Sequence, residues 1–129
     1  MAVQKFKYII LLLMCSCASA NSVDIVNTVK IDNQLSQCIT ATHIKIDKEG
    51  KIPILSFDLR IDKDIAECGC KSALGSYTVY TQMDGYKSYI IGGKVGFVKS
   101  GKKSLPLSSE QKLIGKRELI VGFSCAQPD

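Results

Sequence analysis

Leu55-Ser56-Phe57-Asp58-Leu59-Arg60-Ile61-Asp62 alternates apolar and polar residues without a break. Period two puts Leu55, Phe57, Leu59 and Ile61 on one face of an extended chain, with Ser56, Asp58, Arg60 and Asp62 on the other. That is the pattern of a half-buried strand. Ile52 and Ile54, just upstream, have the opposite parity. With Pro53 between them, the switch predicts a bulge or an edge.

Working outward, Asp47-Lys48-Glu49-Gly50 reads as a turn, with a glycine available where φ must be positive. Cys38–Ile46 is the strand that pairs back through it. Cys38, Thr40, Thr42, Ile44 and Ile46 share one face of it, and Ile39, Ala41, His43 and Lys45 the other. Val23–Asp32 alternates too, apart from Val26 and Asn27. Downstream, Asp62–Leu74 is a connection. Tyr77–Met83 and Tyr86–Ile91 flank Asp84-Gly85, the strongest short hairpin signal. Gly92-Gly93 is expected to break the second of these strands before Lys94–Val98. Leu105-Pro106-Leu107 can form only a short edge strand, because Pro106 has no N–H to donate. Ser108–Ile114 is the one candidate helix, about two turns between a serine cap and Gly115. Arg117–Cys125 closes the chain, with Leu119, Val121, Phe123 and Cys125 on one face. About seven strands and almost no helix predict an all-β antiparallel sandwich. Immunoglobulin-like connectivity is the expectation, although the chain has no tryptophan for that fold's core.

The N-terminus is read as a signal peptide covering residues 1–20. Lys5 and Lys7 precede the apolar run Tyr8–Met14, and Ala18-Ser19-Ala20 is a cleavage site of the A-x-A type. The run is too short to span a bilayer. Cys17 after Ser16 also fits lipid attachment, but Met14 is a poor match to that signal, so cleavage after Ala20 is favoured. Residues 21–129 are then one exported domain in an oxidising compartment. Of 17 basic and 12 acidic residues, Lys5 and Lys7 leave with the signal, so the excess falls from +5 to +3. So weak a balance predicts no nucleic-acid role.

Four cysteines remain: Cys38, Cys68, Cys70 and Cys125. An even number in an exported chain predicts two disulfides that staple the sandwich. A bridge between Cys68 and Cys70, with one residue between them, would be strained. The hairpin brings the chain after Arg60 back beside Cys38. That favours Cys38 with Cys68 and Cys70 with Cys125, and the swapped pairing stays open. The alternative is chemical: a Cys68/Cys70 pair for thiol-disulfide exchange, or for copper with His43 or Met83 as a third ligand. Lys71 would then lower a thiol pKa. No Cys-x-x-Cys is present.

Cys68-Gly69-Cys70-Lys71-Ser72 before a tyrosine-rich strand, the exported N-terminus, Cys38 and the ending Cys125-Ala126-Gln127-Pro128-Asp129 carry a resemblance. The chain resembles a family of small uncharacterised bacterial secreted proteins, a domain of unknown function. The resemblance implies a periplasmic setting and supplies no activity.

The remaining groups point to contact rather than reaction. His43 is the sole histidine, on a polar-facing position, so there is no Cys-His or Ser-His pair. No enzyme activity and no cofactor or metal are expected. Asp58, Asp62, Asp64 and Glu67 lack calcium-loop spacing and read as a solvated face. Lys99, Lys102 and Lys103 form a basic turn. Tyr77, Tyr80, Tyr86 and Tyr89 crowd one hairpin, and some must face outward, where tyrosine serves interfaces. The expected function is a periplasmic binding domain that contacts another envelope protein.

Overall fold

The computed structural model describes residues 28–50 and 52–127. The expected signal peptide, Cys15, Cys17, residues 23–27 of the first expected strand and the final Pro128-Asp129 lie outside them. Seven strands follow in order: β1 Val29–Asn33, β2 Ile39–Glu49, β3 Ile52–Ile61, β4 Leu74–Gln82, β5 Lys87–Gly96, β6 Gly101–Pro106 and β7 Leu119–Cys125. They form two sheets, β1-β7-β4-β5 and β2-β3-β6. Every pairing is antiparallel except β1 with β7. The sandwich is all-β, as the alternation predicts. Its order differs from the immunoglobulin one, in which the first, second, fifth and fourth strands share a sheet. Here the first strand lies beside the last, and β2 and β3 stay together in the other sheet.

The inward rows of both sheets meet in one core. Phe123 on β7 lies 5.5 Å, ring to ring, from Phe57 on β3 and 5.5 Å from Phe97. Leu55, Leu59, Val79, Leu119 and Val121 are buried around them. Phe97 covers Gly75, where a methyl group would overlap its ring.

Several strand expectations are corrected, because tertiary pairing outranks local pattern. In β2 the apolar residues do not hold one parity. Ile39 and Ala41 pack inward, and beyond a register shift between Thr42 and Lys45 so do Ile44 and Ile46. The extra residue is His43, whose φ is 53°. The β-bulge turns a mixed pattern into one inward row. In β3, by contrast, no register shift falls at Pro53. Pro53 is buried in line with Leu55, Phe57 and Leu59, and it lies beyond the last β6 pair, Ile54 with Pro106, so its missing N–H breaks no bond with β6. In β5, Gly92-Gly93 does not interrupt the strand; the irregularity falls at Ile90, where the register passes from Val79–Ile91 to Tyr80–Tyr89. Gly93 instead makes room for the Tyr77 ring opposite.

Ser108–Ile114 does not form two helical turns. Only Gln111–Leu113 is helical, as a single 3-10 turn. The Ser108 hydroxyl donates to the Glu110 carbonyl over 2.6 Å and holds a bend rather than a cap. So short a segment cannot sustain a helix without packing, and of it only Ser108 and Ile114 are buried. No helix among the described residues is long and apolar enough to cross a membrane.

Candidate functional site

The Cys68-Gly69-Cys70 segment is a junction between the sheets. Asp64 starts it: its carboxylate accepts from the Ala66 amide at 2.9 Å and caps a 3-10 turn over Ile65–Cys68. Ile65 anchors that turn in the core. Gly69 follows at φ 95°, a left-handed position that costs glycine little. The reversal aims the two sulfurs apart. Cys68 is bonded to Cys38, at the entry of β2, with 6.3 Å between Cα atoms. Cys70 is bonded to Cys125, at the end of β7, with 5.1 Å. One loop thereby holds both sheets at the same end of the sandwich. Cys38 and Cys70 are buried; Cys68 and Cys125 are half-buried.

In this bonded state there is no dithiol at Cys68 and Cys70, and no thiol for Lys71 to acidify. The two suggested helpers are elsewhere. His43 sits on the β2 bulge, and its Nδ1 lies 3.0 Å from the Asp58 carboxylate. Met83 follows β4 at the end opposite the junction, with its sulfur 3.6 Å from the Thr81 hydroxyl. Among the described residues no three His, Cys, Asp or Glu side chains converge as a metal set.

The acidic residues do not form a shared site either. Asp58 faces His43, and Asp64 is a cap. Asp62 accepts from Arg60 Nε at 2.7 Å and from the Thr40 hydroxyl at 2.8 Å. The Arg60 hydrogen bond, helped by Thr40, holds the Asp62 carboxyl below its ordinary pKa. The expected basic turn is not one: Lys102 and Lys103 lie on β6, paired with Asp58 and Phe57, and only Lys99 precedes the strand. Lys99 and Lys102 are exposed, whereas Lys103 is half-buried.

The tyrosines divide. Tyr77 points into the core and donates its hydroxyl to the Pro106 carbonyl. Tyr80 and Tyr89 pair on the outer face of the four-stranded sheet, edge to face at 6.2 Å. Lys87 places its ammonium 4.8 Å from the Tyr80 ring centre, within cation–π range. Tyr86 and Tyr89 are 60% and 61% exposed. Beside them Lys30, Ile31, Asp32, Gln82, Lys87 and Ile120 line a cleft of about 400 Å³. Lys30, Lys87 and Ile120 escaped sequence reasoning. The hairpin pairing of Gln82 with Lys87 and of Tyr80 with Tyr89 puts these four on one face, but only the β7–β4 pairing brings Ile120 beside Tyr80.

Residues 11–128 match the family described as "Uncharacterized protein conserved in bacteria (DUF2195)". No curated protein and no solved structure matches the chain.

Proposed function

The chain belongs to this family of uncharacterised bacterial proteins, and we propose that it is an exported, non-enzymatic binding domain of the periplasm that contacts another protein of the envelope. The observation that carries this reading is the outer face of the four-stranded sheet. Tyr80, Tyr89 and Lys87 stand there beside Ile120 and the cleft. Exposed tyrosine is enriched at protein interfaces, and here it stands beside a cleft whose lining is mixed, with Ile31 and Ile120 among Lys30, Asp32, Gln82 and Lys87. Export rests on Lys5, Lys7, the Tyr8–Met14 run and Ala18-Ser19-Ala20. Two disulfides suit an oxidising compartment.

Immobilised mature protein should retain one defined partner from periplasmic extract, and Tyr89→Ala should release it. Intact mass should place the mature N-terminus at Asn21; a diacylglyceryl mass on Cys17 would move the domain onto a membrane anchor. Repeated failure to retain any partner, together with hydrolytic or thiol activity in the pure protein, would overturn the binding reading.

A further inference from the structure

The four sheet edges differ in how they are closed. β1 is only five residues long. β2 is broken by the His43 bulge. β6 carries Pro106, and Lys103 occupies an inward-facing position opposite Phe57. A short length, a bulge, a proline and an inward charge are all devices that stop a second chain from pairing. β5 is ten residues long, pairs only with β4 among the described residues, and has no proline. It carries a bulge too, at Ile90, so what separates it from β2 is charge: β2 bears Lys45, Asp47, Lys48 and Glu49 along its length. Ser88-Tyr89-Ile90-Ile91-Gly92-Gly93 is uncharged throughout, and lysines stand at both ends, Lys87 and Lys94.

Those lysines share a face. Lys87 pairs with Gln82 and Lys94 with Ser76, positions of equal parity on β4. The two are therefore about 20 Å apart on the outer side of the sheet. Tyr89 stands between them, opposite Tyr80. A second copy of β5, paired antiparallel about Ile90 and Ile91, would set Lys87 against Lys94 of that copy. Like charges directly opposite are unfavourable, so the edge is not suited to pairing with itself in that register. An incoming strand with carboxylates at both positions is complementary.

We propose that the free edge of β5 takes up an extended acidic segment of another polypeptide as an added strand of the four-stranded sheet. Two of its carboxylates would meet Lys87 and Lys94, and an apolar side chain between them would meet Tyr89. Main-chain hydrogen bonds supply the affinity, and the side chains select the segment. The inference rests on the binding-domain reading and names the partner's chemistry and mode of attachment.

The test uses the mature protein and a synthetic peptide of alternating threonine and valine, with two glutamates separated by five residues. Titration followed by calorimetry should show binding. A peptide with lysines in place of the glutamates should not bind. Lys87→Glu/Lys94→Glu should weaken the acidic peptide about tenfold or more and create binding of the lysine peptide. Both lysines are exposed, and unchanged thermal unfolding of the double variant would show the fold intact. Amide exchange should slow along Lys87–Gly96 when peptide is bound. No binding of the acidic peptide, protection at β2 or β6 instead, or self-association of the protein through β5 would each overturn the proposal. If the double variant still retains the periplasmic partner that Tyr89→Ala releases, the edge inference fails while the binding-domain reading stands.

Discussion

The Tyr77 hydroxyl on β4 donates to the Pro106 carbonyl on β6 across 3.1 Å, so the two sheets share a hydrogen bond as well as a core. Tyr77 is 5% exposed, and burial, with Tyr89 adding to it, pushes the pKa of its phenol above the ordinary 10.0.

That shift sets the sign of an alkaline effect. A raised folded-state pKa means the stabilisation is complete below pH 10.0 and is lost as pH rises through the folded value. Urea unfolding at increasing pH should show a decline that begins above pH 10. Tyr77→Phe should cost about 1 kcal/mol at neutral pH and make that decline shallower. An unchanged alkaline slope in the variant would separate Tyr77 from the effect.

The two bridges close loops with sequence separations of 30 and 55 residues. Chain entropy in the unfolded state gives each a stabilisation of about 4 kcal/mol, with native bridges commonly contributing ~2–5. Cys38→Ala/Cys68→Ala and Cys70→Ala/Cys125→Ala should each lower stability in that range by denaturant unfolding. Alkylation of the native protein under mild reduction, followed by peptide mapping, should leave all four cysteines unlabelled. Two reactive thiols at Cys68 and Cys70 would show exchange chemistry at the junction instead.

Gly75 and Gly96 offer a matched comparison within the β4–β5 pair. A methyl group at Gly75 would overlap the Phe97 ring, whereas one at Gly96 meets nothing. Gly75→Ala should destabilise by about 1–3 kcal/mol, the usual cost of overpacking. Gly96→Ala should stay within about 0.5 kcal/mol of the parent. Equal thermal unfolding of the two variants would mean that the Phe97 ring can move aside.

His43 is the one non-glycine residue with positive φ among the described residues, at 53°. A β-branched side chain is strained there, while asparagine tolerates it. His43→Val should lose about 1–2 kcal/mol by thermal unfolding, and His43→Asn should lose less. The Asp58 contact, at an 82% exposed imidazole, adds little to that difference. If valine were harmless, the bulge would have slipped by one residue.

The strongest readings from sequence were those that rest on one residue and its neighbours. Gly50 and Gly85 take the positive φ, 65° and 87°, that a turn glycine is chosen for, although the first turn is tighter than expected, because Asp47, Lys48 and Glu49 stay in β2 and pair with Ile54, Pro53 and Ile52. Leu55, Phe57 and Leu59 form an inward row because period two is a property of the extended chain itself. The tyrosine face was half legible. Crowding around Asp84-Gly85 required some tyrosines to face out, but parity could not say that Tyr77 would be the buried one. That choice was made by the space over Gly93 and the carbonyl of Pro106.

Alternation, turn glycines and the cysteine count determined, without coordinates, a β-sandwich of about seven strands held by disulfides, because each is a local consequence of backbone geometry. The tertiary structure alone decided that β1 runs parallel to β7, that β4 lies between β7 and β5, and that His43 is the residue pushed out of register. Those choices depend on which apolar faces cover one another across the core. A strand's own pattern specifies that it has such a face, but the partner that covers it is distant in sequence and is selected only when the whole core closes.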